Sequence, residues 1–161
     1  LEQYRSANSN TVSDREVEPY QFTTNYQQIW CYEPASKQCK LFTLTRIGKV
    51  INLDRNWQNK SYHLAAGVDV FRNSGLVPVG RVVFQLNIRA MSLLCEEYPL
   101  AEKHLIQIDD INTRFETEVF NFEGPARFVL GLLDNVTVLG DPAFGRFVDE
   151  KIGMMKKMQR R

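Results

Sequence analysis

The spacing of hydrophobic positions changes character along the chain, and that change predicts its elements. From Val17 to Leu53 there is no helical period. Instead, short apolar and aromatic runs predict strands at Tyr20–Phe22, Tyr26–Tyr32, Cys39–Ile47 and Lys49–Leu53. Glu33-Pro34-Ala35-Ser36-Lys37-Gln38 between two of them has the composition of a hairpin loop, since proline presets φ and cannot extend a central strand. Short strands on tight connections predict a small barrel, because closure removes edges that would otherwise pair with other chains.

Residues 54–79 read as a connector. The stretch is polar around Arg55 to Lys60, with a short helical turn at Asp69-Val70-Phe71, and Trp57 is expected to anchor it on the barrel. From Gly80 the two periods alternate. Val82, Phe84, Leu86 and Ile88 alternate as a strand with one buried face. Met91, Leu94, Cys95 and Tyr98 follow helical spacing up to Pro99. Strands are expected at Ile106–Ile108 and along Phe115, Thr117 and Val119. A helix is expected to open at Gly124-Pro125, carry the stripe Ala126, Val129, Leu130 and Leu133, and end at Asn135. Val136–Leu139 is the last strand, and Asp141-Pro142 caps a final helix whose last turn holds Lys156, Lys157, Arg160 and Arg161.

The order β-α-β-β-α-β plus a terminal helix is that of a split βαβ, ferredoxin-like domain. The fold class expected is therefore α+β: a small SH3/Sm-like barrel over residues 1–53, a connector over 54–79, and a ferredoxin-like domain over 80–161.

Composition narrows the function classes. With 43% hydrophobic and 24% charged residues, the 161-residue chain has the balance of a soluble globular protein. Lys and Arg total 20 against 19 for Asp and Glu, so no whole-molecule field draws it to nucleic acid or membrane, and any anion site is local. Cys31, Cys39 and Cys95 form neither a CxxC pair nor an even framework, which points to free thiols in a reducing, cytoplasmic compartment. No apolar run approaches the ~20 residues that span a bilayer.

The residues Arg15-Glu16-Val17-Glu18-Pro19-Tyr20 and Phe42-Thr43-Leu44-Thr45-Arg46-Ile47, with the aromatic strand Ile29-Trp30-Cys31-Tyr32-Glu33 between them, resemble the core of the WYL-domain family. The family's Trp-Tyr-Leu triplet falls on Gln27-Gln28-Ile29, and Trp30 follows three residues late. The second half resembles the extension that usually follows WYL domains, through the Met91–Tyr98 helix and the stretch from Gly124-Pro125-Ala126-Arg127 to Leu139-Gly140-Asp141-Pro142. The resemblance implies a Sm- or SH3-like barrel in a bacterial transcription regulator. Such a barrel senses nucleotides, oligonucleotides or single-stranded nucleic acid and modulates DNA binding by a helix-turn-helix. The chain starts at Leu1 rather than Met and holds no helix-turn-helix, so the double-stranded DNA reader is expected upstream. A homodimer is expected because such DNA targets are two-fold symmetric.

On this reading Arg46 ends a barrel strand, where a guanidinium grips a phosphate or carboxylate through parallel N–H donors. Trp30 and Tyr32 share one strand face and are candidates to stack a base. Tyr4, Ser6 and Arg15 belong to the first segment, where the resemblance implies polar ligand contacts. The alternatives stand beside these roles. Trp30 and Tyr32 fill the barrel, Arg46 pairs with Glu18 or Asp54, and Arg15 is salt-bridged to Asp14 or Glu16.

Enzyme chemistry finds little support. The only histidines are His63 and His104, with no HxxxH, HExxH or Cys/His cluster and no Gly-rich phosphate loop, so no metal or cofactor is implied. Cys95 lies on an apolar helix stripe, and Asp109-Asp110 reads as a turn. The expectation is a ligand-sensing regulatory region and not an enzyme, with a dimerisation or interaction module lacking its own ligand as the alternative.

Overall fold

Pro34 to Lys37 form the turn marked by the sequence, and strands β4 (Gln28–Glu33) and β5 (Gln38–Thr43) pair antiparallel across it. Strand β3 (Glu18–Phe22) pairs with the other side of β4, giving a three-stranded sheet in the order β3-β4-β5. Pro19, which has no N–H to donate, therefore sits on an edge strand, and the register shifts between Pro19 and Gln21. Ahead of this sheet, β1 (Tyr4–Ser6) and β2 (Thr11–Ser13) form a separate two-stranded ribbon. These elements belong to a computed structural model that describes residues 1–7, 9–23, 26–64 and 67–158.

Three sequence expectations need correction in this region. The described strands do not close into a barrel; they remain a sheet and a ribbon. The strand expected at Lys49–Leu53 is absent: only Lys49 bridges, to Glu2. Asn52 Oδ1 accepts the Asp54 N–H at 3.0 Å, and Asp54 adopts φ 51°, so a local side-chain turn replaces extended backbone. Tyr26, expected inside a strand, instead lies in a turn with φ 53° and donates its N–H to Thr23 O at 2.9 Å.

Both faces of the three-stranded sheet are covered. Cys31 and Phe42 lie on one face and pack with Tyr4, while Leu1, Val17, Ile29 and Ile47 pack around them. On the other face Tyr32 meets Tyr62 and His63 from the segment that follows.

The chain divides into two compact units, Leu1–Ala65 and Ala66–Arg161, so the stretch read as a connector is shared between them. In the second unit Gly67–Val68 (β6) and Ser74–Gly75 (β7) make a short hairpin, with the expected turn at Asp69–Phe71 closed by Arg72 N to Asp69 O. A four-stranded antiparallel sheet follows. It consists of β8 (Gly80–Asn87), β9 (Leu105–Gln107), β10 (Asn112–Val119) and β11 (Val136–Val138), ordered β11-β8-β10-β9. With α1 (Ile88–Glu97) between β8 and β9, and α2 (Glu123–Gly131) between β10 and β11, this is the split βαβ arrangement the sequence predicts. The molecule is α+β.

The helix signals are local, but Ile88, expected on the buried face of the strand, instead opens α1 and is exposed. Asn87 Oδ1 accepts the Ala90 N–H at 3.0 Å and caps α1, and Pro99 opens a 3-10 turn after it. Asp141 Oδ1 takes the Ala143 N–H at 2.7 Å and starts α3 (Pro142–Met158). Lys156 and Lys157 occupy its last turn, while Arg160 and Arg161 lie outside the described residues. Helix α2 ends earlier than expected, at Gly131, and Leu133 is exposed. Gly124 is required by packing, since a Cβ there would lie 2.7 Å from Phe71 Cβ. The core of this unit centres on Phe84, Leu86, Leu94, Phe115 and Phe144, all fully buried.

Candidate functional site

The geometry around Arg46 starts at the end of β5. Leu44 donates its N–H to Gln27 O at 3.0 Å, which closes the sheet pairing, and the chain turns through a 3-10 turn, Leu44–Arg46, sealed by Ile47 N to Leu44 O. Arg46 thus closes a turn rather than a strand, which corrects the sequence expectation. The turn is pinned from the amino-terminal side. Arg5 Nη2 donates to Thr45 O at 2.7 Å, and Glu2 exchanges backbone hydrogen bonds with Gly48 and Lys49.

Arg46 itself is exposed and makes no hydrogen bond or ion pair among the described residues. Both surface partners considered for it are engaged elsewhere. Glu18 binds the Gln58 and Asn59 N–H groups and His63, and Asp54 binds Asn52. An unpaired guanidinium on a turn whose Thr45 carbonyl is held by Arg5 is suited to hold an anion. Arg5 was not singled out from the sequence. Its signal is the alternation Tyr4-Arg5-Ser6, which turns the arginine outward while Tyr4 goes in.

Of the remaining candidates Tyr4 reaches this turn, its hydroxyl oxygen accepting the Thr43 N–H at 3.4 Å, whereas Trp30, Tyr32 and Arg15 do not converge on it. Trp30 and Tyr32 are each 5% exposed, and Tyr32 stacks on Tyr62 with centroids 5.7 Å apart. Cys31 alternates with them on β4, so they face away from Tyr4, which is buried edge-on against Phe42 at 4.8 Å. Ser6 lies on β1 next to Arg5, and its Oγ accepts the Ser9 N–H at 3.4 Å. Arg15 pairs with neither Asp14 nor Glu16 but with Glu33, at 3.2 Å.

Glu33 is 3% exposed and is also bound by Lys40 and by the Ser36 hydroxyl, at 2.6 Å. Burial pushes its carboxyl upward, but the Lys40 and Ser36 hydrogen bonds and the charges of Lys40 and Arg15 outweigh that, and its pKa is lowered.

A second polar cluster roofs the Tyr32 face. His63 Nε2 lies 3.0 Å from Glu18 Oε2, its ring stacks on Tyr20 at 4.5 Å, and Trp57 meets it edge-on at 5.1 Å. Trp57 remains 48% exposed, so it covers His63 more than it anchors the segment. Desolvation acts to raise the Glu18 pKa, but the donors from Gln58, Asn59 and His63 prevail and hold it at about 2. Cys31 is a buried free thiol pushed up to about 12 by desolvation, so it is no nucleophile at neutral pH. Among the described residues no group of His, Cys, Asp or Glu is placed to hold a metal, and no helix is long and apolar enough to cross a membrane.

No protein-family model and no curated protein matches the chain. Among solved structures, proteasome accessory factor B/C (PafBC) of Arthrobacter aurescens is similar, with 15% identity and a TM-score of 0.36. The match covers 91% of this chain and 23% of that one, so the chain spans under a quarter of that protein's length.

Proposed function

We propose that this chain is the ligand-sensing region of a cytoplasmic bacterial transcription regulator. It takes a nucleotide, oligonucleotide or other anionic ligand at Arg46 and passes the signal to a DNA-binding domain outside it. The observation that carries the reading is the free, exposed Arg46 guanidinium on a turn pinned by Arg5 and Glu2. The WYL-like pattern at Arg15–Tyr20 and Phe42–Ile47 supports it from the sequence side. In this reading the ligand's phosphate or carboxylate lies on Arg46, with Arg5 as the neighbouring cation. Trp30 and Tyr32 support the sheet from inside. The region acts as a homodimer, needs no cofactor and catalyses no reaction.

The test is a titration of the full chain with short fluorescent single-stranded DNA and RNA, using linear and cyclic nucleotides as competitors. Binding that is markedly weaker in Arg46→Ala, with the fold kept, is the expected result. Equal binding by the variant would remove Arg46 from the site. A second reading is favoured by the burial of Trp30 and Tyr32, which keeps these two aromatics from stacking a base. On that reading the region holds subunits together and binds no ligand of its own. Sedimentation of the unliganded chain as a dimer, with no nucleotide bound, would select it.

A further inference from the structure

A second candidate site lies wholly within the second unit, and it does not rest on the Arg46 reading. Helices α1 and α2 leave between them a cleft of about 360 Å³, within the lower range of small-molecule sites. Its apolar walls are Leu93 on α1 and Phe128 and Leu132 from α2 and the residue following it. Its polar groups are Arg127, Tyr98 and Glu97. Tyr98 is anchored by its ring, edge-on to Phe71 at 5.0 Å, and its hydroxyl has no hydrogen bond among the described residues. The Arg127 guanidinium likewise makes no hydrogen bond or ion pair among them. Glu97 accepts from Arg72 at its backbone carbonyl, at 3.3 Å, and its carboxylate makes no ion pair with Arg127.

Gly131 closes α2 at the lip of the cleft. It adopts no left-handed conformation, and a Cβ built on it meets nothing within 4 Å. Neither backbone nor packing requires glycine there, and it leaves that part of the lining without a side chain. An unpaired cation beside a free phenol, over walls of leucine and phenylalanine, complements a single negative charge on an apolar body. The Glu97 carboxylate at the edge disfavours a second negative charge.

We propose that the cleft between α1 and α2 binds a small monocarboxylate with an apolar body, its carboxylate on Arg127 and Tyr98 and its body against Leu93, Phe128 and Leu132.

The test is a ¹⁵N-resolved NMR titration of the full chain with hydrocinnamate, with neutral hydrocinnamide as control. The proposal expects saturable shifts at the Leu93, Gly131 and Leu132 amides with hydrocinnamate and none with the amide. Arg127→Met should weaken binding about tenfold or more, since a charge-assisted pair is lost from an exposed position that the fold does not need. Gly131→Leu fills the cleft from open space and should abolish binding while the thermal midpoint holds. The proposal is overturned if hydrocinnamate gives no saturable shift at millimolar concentration, if hydrocinnamide binds equally, or if either variant binds like the parent.

Discussion

In the second unit a single apolar cluster runs from Val70 to Val148, with Phe84 stacked on Phe115 and tilted against Phe144. The corresponding cluster of buried residues in the first unit is Tyr4, Cys31 and Phe42. There, much of the interior is polar. Glu33 is buried under Arg15, Lys40 and Ser36, and Glu18 and His63 are closed in by Tyr20 and Trp57. Apolar burial does not itself titrate, whereas buried ions need their partners and their charge state. The first unit therefore holds the buried charge pairs, and the one buried carboxylate among the described residues of the second, Asp69, responds to pH in the opposite sense.

The largest expected effect falls on the apolar half. Phe115→Ala removes a fully buried ring between Phe71 and Phe84 and should cost about 3–5 kcal/mol in denaturant unfolding. Hydrogen exchange should localise the loss to the β8–β10 ladder. A cost below about 1 kcal/mol would mean that the core is not close-packed there.

Next comes the buried carboxylate. Glu33→Ala leaves Arg15 and Lys40 without their acceptor. Because their side chains remain 31% and 35% exposed, water recovers part of the loss, and about 1–2 kcal/mol is expected from the first unit. Equal protection of β4 and β5 amides in the variant and the parent would contradict that account.

Acid should separate the two halves. Glu18 has its pKa lowered from 4.5 to about 2 in the folded chain, so between those values the unfolded state binds more protons. The stabilisation it gives the first unit is complete above 4.5 and lost as pH falls through about 2; Glu33 acts in the same sense. Asp69 runs the other way. Burial outweighs the donors from Phe120 and Asn73 and raises its pKa, so its contribution is present below its ordinary 3.8 and lost as pH rises through the raised value. Between about pH 6 and pH 3, exchange protection should fall in the β3–β5 sheet and hold in the β8–β10 ladder, and Glu18→Gln should blunt the fall. A uniform loss across both units would show that these carboxylates do not set the difference.

Much of this organisation was legible because its signals are local. The cap at Asp141, the stop at Pro99 and the stripe through Leu94 lie within a turn or two of the elements they define. What escaped depends on distant partners. The ribbon of β1 and β2 and the hairpin of β6 and β7 use strands of two or three residues, too short for alternation to register. The end of β5 is set by Leu44 meeting Gln27, so Arg46 could not be placed on a turn by reading its neighbours. Arg15 finds its partner 18 residues away. The guanidinium at Arg46 was identified by type and position; its freedom from Glu18 and Asp54 became visible only once those carboxylates were seen with other donors.

Arg46→Ala should have the smallest effect on stability, within about 0.5 kcal/mol, because the side chain is exposed and bonded to nothing among the described residues. That separation from the fold makes Arg46 the place to test the central claim. The decisive measurement is the salt dependence of single-stranded oligonucleotide affinity for the parent and for Arg46→Ala. The account predicts weaker binding by the variant, with the slope of log K against log salt shallower by about 0.7, the release of one counterion from a single strand. Superimposable lines for the two proteins would contradict it.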